Sequence, residues 1–354
     1  MTGQNHDCRV YRCIGVMSGT SLDGLDMAAC EFRYNSGKWD YSIRAAETLI
    51  YDDRRRQKLA TAHALDGLAL SQLNCDYGFF IAEALNGFIE KHRLNRSEYF
   101  VASHGHTVFH QPENFLTLQI GSGWHIAAAT GMAVVCDFRT ADVAMGGQGA
   151  PLVPAGDALL FAGFPACLNI GGFANCSFQR NGERIAFDIC PANIVLNALM
   201  LETGKNCDFD GELGRSGRVD TALLQRLNNL PFYGEAPPRS LGREWVEKNI
   251  MPLLNDSSLS LPDKLATYYQ HIAVQIHSQL AGFSPVLTTG GGAHNRFLIE
   301  TLNRLQPGAW QVPDTLLTDF KEAVIFAFLG LLRVLGQNNV LASVTGAPRN
   351  HCSG

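Results

Sequence analysis

A duplicated α/β chain of two lobes is what this sequence predicts, on three observations. Its 354 residues exceed what a single hydrophobic core usually serves. Three apolar, strand-like runs end in glycine turns: residues 14–27 with Gly15, Gly19 and Gly24, residues 168–175 with Gly171 and Gly172, and residues 286–295 with Gly290, Gly291 and Gly292. Both halves then repeat one outline, a strand hairpin and a glycine turn followed by helices. That plan predicts a cleft between the lobes and several loops converging on one polyanionic ligand. Residues 1–160 are expected to form the first lobe and 161–354 the second, with the final helix packing back on the first.

Composition narrows the class. Apolar content of 46% and charged content of 17% describe a soluble globular protein. A net charge of -5, with no long run of Lys or Arg, argues against broad nucleic-acid binding. Residues 1–7 are polar, so no secretory signal is expected. The longest apolar stretch, residues 323–332, is far short of the roughly 20 residues of a membrane span. Of the ten cysteines no two lie closer than Cys8 and Cys13, which leaves no Cys-x-x-Cys pair. Cys13, Cys30, Cys136 and Cys167 sit among apolar neighbours and read as small buried hydrophobes. A reducing, cytoplasmic location fits this usage.

The first glycine turn carries most of the chemistry. Glycines let a backbone approach a ligand closely, and successive turn N–H groups form an anion nest. Ser18, Thr20 and Ser21 add hydroxyl donors, while Asp23 and Asp26 are placed to hold a divalent cation bridging phosphates. The Gly-Lys-Ser/Thr ending of a P-loop is missing. Taken alone, the stretch also reads as an ordinary hairpin turn.

Further along, residues 39–49 read as a strand and 52–68 as polar helix. Residues 70–93 form an amphipathic helix through Leu73, Tyr77, Phe80, Ala84, Leu85 and Phe88. A short strand at 99–103 delivers His104, His106, Thr107 and His110. Residues i and i+2 of a strand share a face, so His104 and His106 invite a metal reading, with His110 as a third ligand. The competing reading is that they line a polar pocket or satisfy nearby backbone groups. After a helix at 125–130 and a strand at 133–136, residues 137–154 read as a fixed polar loop that reaches a ligand. Arg139 is its hand for a carboxylate or phosphate.

In the second half, strands are expected at 166–170, 175–179 and 184–187. Asp188 falls at the end of the last, just before a helix at 194–201. A carboxylate there serves as a general base or as a helix N-cap. An amphipathic helix at 264–280 feeds the third glycine turn. The final helix, from residue 321 to about 335, is apolar on most faces and places Glu322 in its first turn.

These residues carry a family resemblance. The string from Gly15 to Asp26 is similar to the phosphate-binding signature of 1,6-anhydro-N-acetylmuramic acid kinases. Ser103-His104-Gly105, Asp137-Phe138-Arg139, the run from Gly146 to Pro154, Leu168 to Gly172, Gly290 to Asn295 and Lys321-Glu322-Ala323 match the same family. The resemblance covers residues 12–346 and implies the two-lobed, ribonuclease H-like fold of actin, Hsp70 and hexokinase, with ATP in a central cleft. It further implies that Gly19, Thr20, Ser21, Leu22, Asp23, Gly24, Leu25 and Asp26 hold the triphosphate and its Mg2+. Gly171 and Gly172 would form the second phosphate turn, and Gly290, Gly291, Gly292 and Asn295 would sit near the adenosine. His104, Thr107, Arg139 and Glu322 would face the sugar, and Asp188 would be the general base. The implied reaction opens the 1,6-anhydro bond and phosphorylates O6, giving N-acetylmuramic acid 6-phosphate for peptidoglycan recycling. A homodimer is the expected assembly.

Three departures accompany the resemblance. Where the family shows Gly-Pro-Gly-Asn this chain has Cys190-Pro191-Ala192-Asn193, which is expected to crowd the pocket. His106 replaces a Gln and Gln111 an Arg. An actin-fold ATP-binding protein with altered or lost sugar chemistry is therefore the second reading, and a metal hydrolase built on the three histidines the third.

Overall fold

The computed structural model describes residues 9–19 and 21–354. The chain divides into two compact units. One combines the residues up to 162 with 320–354, and the other comprises residues 163–319.

The first unit is built on a six-stranded sheet. Its strands are β1 (Val10–Ser18), β2 (Gly24–Asn35), β3 (Lys38–Ile50), β4 (Phe100–Gln111), β5 (Leu116–Ile120) and β6 (Val134–Cys136). They run in the order β3-β2-β1-β4-β5, and β6 also pairs with β4. β1, β2 and β3 are an antiparallel meander; β4 lies parallel to β1, and β6 parallel to β4.

The helices of this part are α1 (Asp53–Ala60), α2 (Gly67–Lys91), α3 (Gly123–Thr130), α4 (Thr140–Ala144) and α5 (Val153–Leu160). The helix expected over 52–68 is broken. Asp66 accepts a hydrogen bond from the Ala69 N–H at 2.8 Å and so starts α2 as a new helix. α2 buries Tyr77, Phe80, Ile81, Ala84, Leu85 and Phe88, the spacing of one helical face, over Ile14, Val16, Leu25, Met27 and Val101 of the sheet. Residues 137–154 are not one loop as expected, since they contain α4 and lead into α5. Asp137 opens that helical turn by accepting from the Thr140 N–H at 3.3 Å.

The second unit repeats the plan. β7 (Ala166–Ile170), β8 (Phe173–Arg180) and β9 (Glu183–Pro191) form an antiparallel meander. After α6 (Asn193–Met200), α7 (Glu212–Ser216), α8 (Thr221–Asn228), α9 (Arg243–Asn249), α10 (Met251–Asn255) and α11 (Leu261–Leu280) comes β10 (Val286–Thr289), parallel to β7. α12 (Arg296–Leu305) leads to β11 (Trp310–Gln311), parallel to β10. The order β11-β10-β7-β8-β9 matches β6-β4-β1-β2-β3 strand for strand, including the switch from antiparallel to parallel pairing. The duplication expected from the sequence is thus present as topology. α11 packs Leu265, Tyr268, Tyr269, Ile272 and Ile276 into the core over Leu168 and Ile170.

The chain ends with α13 (Thr315–Val334) and α14 (Ala342–Thr345). The division between the units falls inside α13. Its segment 323–332 is buried at every position, and Phe328 meets the rings of Phe32 and Trp39 at 5.3 and 5.2 Å. Among the described residues no helix is long and apolar enough to cross a membrane.

Candidate active site

In the first unit, the β1–β2 hairpin leaves its turn open. The Leu22 N–H donates to the Gly19 carbonyl at 3.3 Å, with Leu22 in the left-handed region at φ 61°. Ser21 and Asp23 are exposed, whereas the Leu25 side chain belongs to the core, so only its backbone can meet a ligand. Thr20 lies outside the described residues. Asp26 accepts from Thr48 Oγ1 at 2.5 Å. Beneath the turn, Ser18 Oγ lies 3.0 Å from His106 Nδ1 and accepts from the Tyr51 hydroxyl at 2.8 Å. This buried chain fixes the last residue before the turn. Burial lowers His106 to about 4, so it is neutral there.

The histidines do not share a face. Along the parallel pairing of β1 and β4, Val16 faces Ser103 but Ser18 faces His106, so β4 carries one extra residue. Gly105, at φ 75°, takes up the irregularity. His104 turns toward Phe326, at 4.6 Å between rings, while His106 turns toward Tyr77. His110 Nδ1 is 3.1 Å from Thr117 Oγ1. Among the described residues no group of three or more His, Cys, Asp or Glu is placed to hold a metal. The chelate reading gives way to the polar-pocket one, because the bulge breaks the strand alternation on which it depended.

Arg139 is held from two sides. Its Nε donates to His104 Nε2 at 2.9 Å and its Nη1 to the Gly149 carbonyl at 2.7 Å. Gly149 is fixed in turn by the buried Asp142, which accepts from its N–H at 2.6 Å and from Thr345 Oγ1 at 2.8 Å. Burial pulls the Arg139 guanidinium down to about 10, opposed by the negative charge of Glu322. Glu322 is not in the first turn of its helix. α13 begins six residues earlier than expected, where Asp314 accepts from the Leu317 N–H at 2.9 Å. Burial raises Glu322; Lys321 and Arg139 oppose the shift, and Asp26 and Asp157 add to it. Asp26, Arg139 and Glu322 therefore form one electrostatic group in this unit. Thr107 accepts from Gln119 Nε2 at 3.4 Å, beside β5.

In the second unit, the Gly171-Gly172 turn is tied to the start of α6. The Asn193 N–H donates to Gly171 O at 3.2 Å, and those of Ala192 and Ile194 to Gly172 O at 2.8 and 3.2 Å. The glycines of the site fall into two kinds. A Cβ on Gly290 or Gly292 would lie 2.6 Å from Asn169 Oδ1 or 2.3 Å from Ile170 Cγ2, so the fold itself demands those two. On Gly171, Gly172 or Gly291 the nearest atom would be 3.6 to 3.8 Å away. Packing leaves these bare backbones open to close approach by a ligand. Asn295 caps α12, accepting from the Leu298 N–H at 3.0 Å and donating to Tyr269 at 2.8 Å, so its side chain holds the turn.

Asp188 lies inside β9 and not at a strand end, opposite Asn175. It caps no helix. Its Oδ2 accepts from the Leu241 N–H at 2.9 Å, and Arg239 grips its backbone. Burial raises its carboxyl, while the Leu241 N–H and the Arg239 charge hold it down. Cys190 and Ala192, the two departures from the glycine pattern, are fully buried members of the unit's core.

A cavity of about 380 Å³ opens between Met200, Lys205, Asp208, Phe209 and Glu212. Asp208 reaches the third glycine turn, its carbonyl accepting from Asn295 Nδ2 at 3.3 Å. The cavity, Asp142 and Arg239 were all missed in the sequence.

A family model described as anhydro-N-acetylmuramic acid kinase matches residues 11–354. Relatives described by the same words include a protein of Mannheimia succiniciproducens, 37% identical over 94% of this chain and 95% of its own. One from a Sulfurovum species is 34% identical over 96% and 97%, and one from Pasteurella multocida 36% over 94% and 93%.

Proposed function

Because the chain belongs to the anhydro-N-acetylmuramic acid kinase family, we propose that it uses ATP to open and phosphorylate 1,6-anhydro-N-acetylmuramic acid. In the anhydro sugar O6 is bonded to C1 and has no proton to lose. Water must attack C1 as the C1–O6 bond breaks, and a carboxylate must take the water's proton. The freed O6 then attacks the γ-phosphorus and ADP leaves. The products are N-acetylmuramic acid 6-phosphate, ADP and the proton taken from water.

The observation that carries this reading is Asp188. It is a carboxylate with basicity raised by burial, and one of its oxygens is fixed by a backbone N–H. Arg139 and Glu322 are assigned to the sugar, with His104 holding Arg139 and Thr107 nearby on the same strand. The open backbones at Gly19, Gly171, Gly172 and Gly291 are assigned to phosphate and ribose. Asp23 and Asp26 fit magnesium, since this hard cation takes one or two carboxylates plus substrate phosphates. When bound it would neutralise charge on the phosphates. The cavity near Asp208 is assigned to the adenine. The reading with lost sugar chemistry rested on Cys190 and Ala192 and finds no support in their burial. A cytoplasmic homodimer completes the proposal, and light scattering of the purified protein checks the dimer.

The deciding experiment is turnover in ¹⁸O-water with ATP and the anhydro sugar. Label is expected at C1 of the product and none in the phosphate. Label in the phosphate would end this mechanism.

A further inference from the structure

The segment after Pro238 wraps the proposed base with an arrangement that no motif announced. Asp188 N–H donates to the Arg239 carbonyl at 3.1 Å, and Arg239 Nε donates back to the Asp188 carbonyl at 3.2 Å. Two residues on, the Leu241 N–H donates to Asp188 Oδ2 at 2.9 Å. Arg239 is 8% exposed. Its Nη1 is anchored by the carbonyls of Phe232 and Glu235 at 3.2 and 2.8 Å, and its guanidinium lies over the rings of Phe187 and Phe232 at 5.2 and 4.9 Å. Its Nη2 is buried and makes no hydrogen bond among the described residues.

A buried guanidinium that spends two arms on carbonyls and none on a carboxylate is an expensive way to close a loop. A hydrophobic residue would pack between two phenyl rings at less cost. What the cation adds is a fixed fork that sets where residues 239–241 sit, together with a positive charge facing the base.

We infer that Arg239 is a positioning residue for Asp188. It aims the Leu241 N–H at Oδ2, which leaves Oδ1 to take the proton from water, and it keeps a positive charge beside the carboxylate. This inference rests on the assignment of Asp188 as base. The other groups facing this pair are Cys190 beside Asp188, and Cys176, Tyr233 and Glu235 around Arg239. Cys190 and Tyr233 are held protonated by burial, so Arg239 is the cation that opposes the burial of Asp188.

The test is the pH dependence of kcat/KM for ADP release with the anhydro sugar, on the full chain. The base works only when deprotonated, so activity falls as pH drops through its pKa. Removing the nearby cation raises that pKa and moves the acid limb to higher pH. Arg239→Gln is expected to shift the limb upward by roughly one unit and to lower kcat at least tenfold, with the KM for ATP within twofold of wild type. Arg239→Lys keeps the charge and loses the fork. Its limb is expected at the wild-type position with kcat still reduced at least fivefold. It also stands as the test should Arg239→Gln fail to fold, since wild-type kcat in the Lys variant overturns the inference. An unmoved limb in Arg239→Gln overturns it as well. Asp188→Asn separates the premise: near-normal turnover there would remove the base assignment itself, whereas lost turnover with an unmoved Arg239→Gln limb would sink the Arg239 role alone.

Discussion

Arg139 Nε donates to His104 Nε2, and this one contact fixes the proton of the imidazole. A guanidinium can only donate, so Nε2 must be the acceptor and the ring proton sits on Nδ1. Nδ1 lies 2.9 Å from the Gly105 carbonyl, the acceptor that such a proton requires. Burial and the Arg139 charge together hold His104 well below its ordinary value, so it stays neutral at working pH. His104→Phe should keep the packing against Phe326 but leave the arginine Nε without its partner. The expected result is a sugar KM raised by the equivalent of about 1.5–3 kcal/mol with the ATP KM little changed, read from steady-state kinetics. An unaltered sugar KM would show that Arg139 needs no such support.

Asp188→Asn should preserve folding and ADP binding while turnover falls by roughly 10²–10⁴-fold, the usual worth of a general base. Single-turnover rates and ADP titration measure the two halves of this statement. The wild-type acid limb should lie above the ordinary carboxylate range, because burial raises this group.

The two kinds of glycine give a paired prediction. Gly290→Ala forces a Cβ to within 2.6 Å of Asn169 on a backbone at φ 84°, and should destabilise by about 2 kcal/mol or more. Gly171→Ala has room for its methyl and should change stability by less than about 0.5 kcal/mol. Its ATP KM should nevertheless rise roughly tenfold, about 1.4 kcal/mol of lost binding. Urea unfolding and kinetics on both variants decide it; a Gly171→Ala protein with normal ATP affinity would remove that turn from the site.

Acid should unfold the protein earlier than its carboxylates alone would dictate. His106 and His271 are pulled down by burial to about 4 and about 3, and His104 also lies well below its usual value. A folded-state pKa below the unfolded one means the unfolded chain binds more protons, so this stability is complete above about pH 6.5 and is lost as pH falls. Each histidine contributes a slope of up to about 1.4 kcal/mol per pH unit below that point. Denaturant unfolding at pH 7.5 and 5.5 measures it. His271→Leu should flatten the slope, and equal stability at the two pH values would refute the assignment.

Much of this was legible in the chain, and the exceptions have physical causes. The strands beside Gly15, Gly171 and Gly290, and the long face from Leu73 to Phe88, follow from periodicity. Asp188 was misplaced because Pro191 ends β9, and proline normally argues against a strand continuing that far. Glu322 was misplaced because the unbroken apolar run that marks the helix starts only at Ala323, whereas Asp314, which caps it, lies nine residues upstream. The opposite facing of His104 and His106 depends on the φ of Gly105, which no alternation rule contains. Arg239 was hidden for a simpler reason: its partner lies 51 positions away.

The closeness of Gly15 to α13 works as a caliper. A Cβ at that position would stand 1.9 Å from the Ala323 carbonyl, so strand and helix meet backbone to backbone. One jaw carries Asp26, whose register partner Met17 is two residues beyond Gly15; the other carries Glu322, next to Ala323. The spacing of the two backbone segments that carry these carboxylates is therefore gauged by main-chain atoms. Any side chain at residue 15 would wedge the jaws apart, and the two carboxylates would be carried with them.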